Sequence, residues 1–208
     1  MSILKKMASQ QNRKDSVPNQ ELAAELAKQK DRKGIKEIAD NLLHKDKKIQ
    51  ADCLKVLYEI GYIAPELIEG YILDFIRLLS NKNNRLVWGA MIGLSTIADR
   101  KPKEIIDNLA QIIKTIENGS VITIDNGIKA LSLAASVDKE YNKAVFPFLI
   151  EQLSQCRPKS VPQYAEHILV SVNPENKKRY LTTLNKRKDI LTSTQRARIN
   201  RIFKSLET

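Results

Sequence analysis

Residues 84–98, NRLVWGAMIGLSTIA, and residues 121–135, VITIDNGIKALSLAA, lie 37 positions apart and carry their small and apolar residues in the same register. Extending that step gives Leu57, Leu94, Leu131 and Ile168 in one column, and four positions earlier Cys53, Ala90, Gly127 and Tyr164. Two further columns run Ile35, Ile72, Leu109, Phe146 and Leu42, Leu79, Ile116, Leu153. A period of this length marks stacked two-helix units, none of which buries its apolar face until a neighbour covers it. The expected fold is an all-α solenoid, a right-handed superhelix of about five hairpins.

Composition agrees. Apolar residues make up 42% of the 208 positions and charged residues 28%, too apolar for a disordered chain. Seven Gly, seven Pro and 5% aromatics leave long Leu, Ile, Ala and Lys-rich segments, which favour helix. No apolar stretch approaches the ~18 residues that would cross a bilayer. Lys5 and Lys6 precede only polar residues, which is not the pattern of a secretory signal. Cys53 and Cys156 have no CxxC or CxxH spacing and read as reduced structural thiols. A cytoplasmic protein is expected.

The hydrophobic pattern divides the chain into a loose or partly helical basic arm (1–17), a cap helix (18–30), four repeats (31–172) and a degenerate basic repeat (173–208), all but the arm in one domain. Pro65 and Pro102 each open a repeat, since proline costs little at a first helical position. From Pro65 one helix is expected to reach Ser80. Ile35, Ile38, Ala39, Leu42 and Leu43 form the apolar face of the first repeat's opening helix.

These segments resemble HEAT repeats, an armadillo-type α-helical family. The resemblance rests on a first helix ending in paired aliphatics, a short polar link, and a second helix with a small residue four positions before a Leu. It appears as Leu42-Leu43 with Cys53 and Leu57, Leu78-Leu79 with Ala90 and Leu94, and Ile116 with Gly127, Ala130 and Leu131. The family's usual Asp in the link and Arg early in the second helix are replaced by His44 and Asn81, and by Gln50 and Val87, so its polar ladder between units is not expected.

The resemblance implies a binding scaffold whose second helices line the recognition surface. Its exposed columns would hold Asp52, Lys55 and Glu59, then Arg85, Trp88 and Ile92, then Asp125 and Lys129, then Glu166. Mixed charge around one tryptophan suits a protein or peptide partner, with Trp88 as the anchor.

Charge supplies the alternative. The net +11 is spread as +5 over residues 1–50, −2 over 51–156 and +8 over 157–208. Lys177, Lys178, Arg179, Lys186, Arg187, Lys188, Arg198 and Arg201 are the cations that would meet phosphates of a nucleic acid, without sequence preference because few aromatics are interleaved. The plainer reading is that terminal units need a polar cap.

One HEAT-like branch excises alkylated DNA bases, and Trp88 with Asp125, flanked by Arg85 and Lys129, is the cluster that would resemble its site. A single Trp offers no second indole, and Asp125 early in a helix serves the helix dipole. His44 and His167 lack metal-ligand spacing, and no phosphate-binding or nucleophile motif occurs. Enzyme is the least favoured class, with no cofactor and no metal expected.

Overall fold

The computed structural model describes residues 2–207, and among them every regular element is helical. Twelve α-helices follow one another: α1 (Val17–Gln29), α2 (Arg32–Asp40), α3 (Lys47–Ile63), α4 (Ile72–Leu78), α5 (Asn84–Ile97), α6 (Pro102–Asp107), α7 (Leu109–Glu117), α8 (Val121–Val137), α9 (Lys139–Gln155), α10 (Val161–Leu169), α11 (Lys177–Arg187) and α12 (Ser193–Glu207). The second helices α3, α5 and α8 begin at Lys47, Asn84 and Val121, 37 residues apart, as the sequence period requires. No helix is long and apolar enough to cross a membrane among the described residues.

The repeat columns are the core. Leu57, Leu94, Leu131 and Ile168 are each fully buried, as are Cys53 and Ala90. Two aliphatics expected in the core are not fully buried. Leu109 is half-buried, because it starts α7 just after a break, and Leu43 is 75% exposed, because α2 ends at Asp40 and the chain turns before Leu43.

The first helices are shorter than the pattern predicts. Between Pro65 and Ser80 the chain forms two 3₁₀ turns, Pro65–Leu67 and Glu69–Tyr71, before α4 begins. Gly70 lies at this break with open space around it. In the next repeat Asn108 separates α6 from α7, its side-chain amide donating to the Glu104 carbonyl (2.9 Å). Polar residues that satisfy the backbone locally compete with helix continuation.

Packing contacts gather the chain into two compact units that divide inside α8, one ending at Gly127 and the other starting at Ile128. In the first, α3 packs on both α1 and α5. Residues 2–16 are docked rather than loose. Two 3₁₀ turns, Ile3–Lys6 and Ala8–Gln11, flank Met7, which is fully buried with its Sδ 3.8 Å from Cys53 Sγ. Ala8 N–H donates to Asn19 Oδ1 (2.9 Å), Ser9 N–H to Asp52 Oδ2 (2.8 Å), and Asn19 Nδ2 to Asp52 Oδ1 (2.8 Å). A polar ladder of α1, α3 and the N-terminal segment is thus built on one buried carboxylate.

The second unit contains its own buried polar knot. Asn142 Nδ2 donates to the carbonyls of Ala135 (3.1 Å) and Ser171 (2.7 Å), and Asn176 Nδ2 donates to Asn142 Oδ1 (2.9 Å). Each bond satisfies a carbonyl or amide that would otherwise be costly to bury. Tyr180, fully buried on α11, donates its hydroxyl to the Ala165 carbonyl (2.7 Å) and ties α11 to α10.

Candidate partner-binding surface

The surface with the most chemistry in the first unit is built by α3 and α5. Asp46 caps α3 by accepting from Lys48 N–H (2.7 Å), and Asn83 caps α5 by accepting from Arg85 N–H (3.0 Å). Gly89 sets how near the two helices come: a Cβ there would lie 2.7 Å from Leu54 Cδ2. This approach brings Lys55 and Tyr58 of α3 beside Arg85 and Trp88 of α5 around a small pocket of about 20 Å³. Trp88 is half-buried, so its indole is part of the wall and still reachable.

Lys55 is held by an ion pair to Glu59 and sits over the Tyr58 ring, 4.8 Å from its centroid. Burial works against the ammonium, and the bonds to Glu59 and Tyr58 more than offset it, so the Lys55 pKa is raised and the side chain stays charged. Burial also pushes the Tyr58 hydroxyl upward. Tyr62 packs edge-on against Tyr58 at 6.4 Å between centroids and is 54% exposed, so aromatic surface continues along α3.

The other expected members of the ridge do not line this pocket. Asp52 is only 8% exposed, because its carboxylate faces the docked N-terminal segment and Asn19 instead of solvent. Ile92 is also buried, at 8%. Asp125 is half-buried on α8 in the first unit, and Lys129 is half-buried on the same helix in the second. Glu166 is joined to Arg198 by two bonds (2.8 and 2.5 Å). That guanidinium lowers the Glu166 pKa against the opposing effect of burial.

The C-terminal cations divide into two groups. Lys177 donates to the Leu206 carbonyl near the end of α12, Arg187 to the carbonyls of Ser154 (2.5 Å) and Cys156 at the end of α9, and Lys188 lies 5.6 Å from the Phe203 centroid. Cations placed on the last carbonyls of a helix satisfy its orphan acceptors and its dipole. Lys177, Arg187, Lys188 and Arg198 therefore serve the fold of the second unit, while Lys178, Arg179, Lys186 and Arg201 remain exposed.

Sequence reasoning missed a cleft of about 510 Å³ where α1, α3 and α5 begin. Its walls include Arg13, Lys14, Lys47, Lys48, Lys55 and Arg85, together with Asp15 and Asp52. Lys55 and Arg85 line both this cleft and the small pocket at Trp88, so the two adjoin. Lys48 and Arg85 lie 37 apart in the sequence, a repeated cation that the period could have revealed.

No protein-family profile matches the chain. No curated protein matches it either. Solved structures do. A designed armadillo repeat protein in complex with the peptide (KR)4 superposes with a TM-score of 0.68 at 14% identity, covering 88% of this chain and 85% of the other. The chain has the armadillo-type helical repeat fold. A second designed armadillo repeat protein gives 0.67 at 15% identity over 98% and 99%, and an engineered protein gives 0.67 at 22% over 99% and 100%. At these identities the likeness concerns the fold.

Proposed function

We propose that this protein is a non-catalytic, cytoplasmic scaffold that binds a protein or peptide partner across α3 and α5, with Trp88 as the anchor. The observation that carries the reading is the convergence of Lys55, Arg85 and half-buried Trp88 between α3 and α5, with buried Tyr58 packed among them. Binding energy concentrates at aromatic and Arg side chains ringed by other contacts, and Tyr and Trp give large contact area for little entropy. The similar structure that holds (KR)4 supports the use of this fold for a peptide. Here Arg85 and the cleft cations favour a partner of opposite charge to that one. Nucleic-acid binding by the basic C-terminal residues is the rival reading, and it retains Lys178, Arg179, Lys186 and Arg201.

The test is selection from a displayed random-peptide library, followed by affinity measurement on wild type and Trp88→Ala. Selected peptides should lose at least about tenfold in affinity on Trp88→Ala, about 1.4 kcal/mol, with the far-UV circular dichroism unchanged. Failure to select any binder, or binders indifferent to Trp88, would refute the scaffold reading at this surface.

A further inference from the structure

We infer that the cleft at the starts of α1, α3 and α5 recognises an acidic peptide segment, its Asp or Glu carboxylates meeting Lys14, Lys47, Lys48 and Arg85. The inference rests on the scaffold reading above and names the chemistry of the partner. Three features of the cleft support it.

The first is charge left over after internal pairing. Six cations line the cleft against two acids, and both acids are already engaged. Asp15 binds Arg13 Nε and Nη2 (3.0 Å each) and accepts from Val17 N–H (3.0 Å), while Asp52 holds Ser9 and Asn19. Lys55 is paired with Glu59. Lys14, Lys47, Lys48 and Arg85 make no ion pair among the described residues, and all four side chains are exposed. Concentrated, unpaired cations on one concave wall raise the local concentration of an anionic ligand.

The second is the backbone. Ser16, Lys47, Lys48 and Asn83 place the N-terminal ends of α1, α3 and α5 at the cleft, helices of 13, 17 and 14 residues. Asp15, Asp46 and Asn83 already accept from the N–H groups of Val17, Lys48 and Arg85, so these helix ends add positive dipole potential to the cleft rather than those three donors.

The third is shape and continuity. The volume of about 510 Å³ falls within the ~300–1,000 Å³ of ligand pockets. A second cleft of about 780 Å³ beside α5 and α7 has only Lys82 and Lys114 as charged lining, so charge singles out the first. No aromatic residue lines the cleft itself, so a nucleotide base finds nothing to stack on inside it. A peptide leaving the cleft past Lys55 and Arg85 passes beside half-buried Trp88.

Fluorescein-labelled octaglutamate tests this against octalysine and single-stranded oligodeoxythymidylate, read by anisotropy between about 50 and 300 mM salt. The double variant Lys47→Glu with Lys48→Glu breaks no ion pair and puts acids in the first turn of α3, where they suit the dipole, so it should fold. Expected is octaglutamate binding that weakens with salt and falls at least about tenfold in the double variant. Absence of octaglutamate binding at low salt, equal binding by the variant, or tighter binding of the oligonucleotide would overturn the inference. Library binders that depend on Trp88 but are not acidic and ignore the charge reversal would leave the scaffold standing and remove this partner class. Octaglutamate binding lost on charge reversal, with no Trp88-dependent library binder, would keep the cleft as an acidic-peptide site and remove the wider scaffold surface.

Discussion

Replacing Asp52 by Ala should release the N-terminal segment from the first unit. The carboxylate accepts from Ser9 N–H and Asn19 Nδ2 at 2.8 Å each, in a site where Asp52 is 8% exposed and Asn19 2%. Hydrogen bonds to a charged group are worth about 1.5–3 kcal/mol each, so losing both costs about 3–6 kcal/mol. Part of that returns because a buried carboxylate no longer has to be desolvated, which places the expected loss near 3 kcal/mol. Against total stabilities of about 5–15 kcal/mol that is a large fraction. Asp52→Asn keeps one acceptor and should lose about half as much. Urea unfolding followed by circular dichroism measures the loss. Trypsin should then cut after Arg13 or Lys14 at much lower enzyme concentration than in wild type. A loss below about 0.5 kcal/mol with unchanged proteolysis would refute the argument and return Asp52 to the exposed surface.

Three further outcomes follow from buried groups. Tyr180→Phe removes the hydroxyl bond to the Ala165 carbonyl and should cost about 1–2 kcal/mol by thermal unfolding, without change in helical content. The Cys53 thiol is pushed up to about 12 by burial and by the Asp52 charge, so a thiol reagent should modify half-buried Cys156 in the folded protein and Cys53 only on unfolding. Comparable rates by mass spectrometry would mean that Met7 does not cover Cys53. His167 is held below the ordinary histidine value of 6.5 by burial and by Lys129, against the opposing pull of Glu166. The unfolded chain therefore takes up that proton first, so the contribution is intact above 6.5 and lost as pH falls below it. Tm measured down from neutral pH should drop less steeply in His167→Gln than in wild type.

The repeat was legible because burial in a stack is periodic. Each second helix must present the same column to the same neighbour, and Leu57, Leu94 and Leu131 do so at full burial. The breaks in the first helices were not legible from the hydrophobic pattern, because two 3₁₀ turns ahead of α4 and a break at Asn108 leave the spacing of apolar residues almost unchanged. What they alter is the backbone, and Gly70 and Asn108 are the local signs of that. Met7 lay outside the periodic signal altogether. A lone methionine in a polar run has no partner in the sequence, and its burial depends on Cys53, 46 residues away.

The same distinction explains the site. Asp52 looked like a solvent-facing acid on a helical ridge, yet its column continues as Gly89, which is buried against Leu54, and Asn126, which bonds Ser95 (3.1 Å). A position held by Gly in one repeat and by an amide in the next faces a neighbour, and an acid placed there needs donors. The N-terminal segment supplies one of them. Trp88, Arg85 and Lys55 were readable as a surface because they sit on regular helices whose faces the period fixes. Arg13 and Lys14 join Lys47 and Lys48 only through the docking of residues 2–16, a tertiary event held by Asp52 and Met7. Charge counted along the chain located +5 in the first 50 residues, and the fold brings four of the twelve Lys and Arg there, Arg13, Lys14, Lys47 and Lys48, to the cleft. It follows that Asp52→Ala should weaken octaglutamate binding even though it removes a negative charge from the cleft. Simple electrostatics predicts the opposite sign, so this variant separates a preorganised site from a diffuse basic patch.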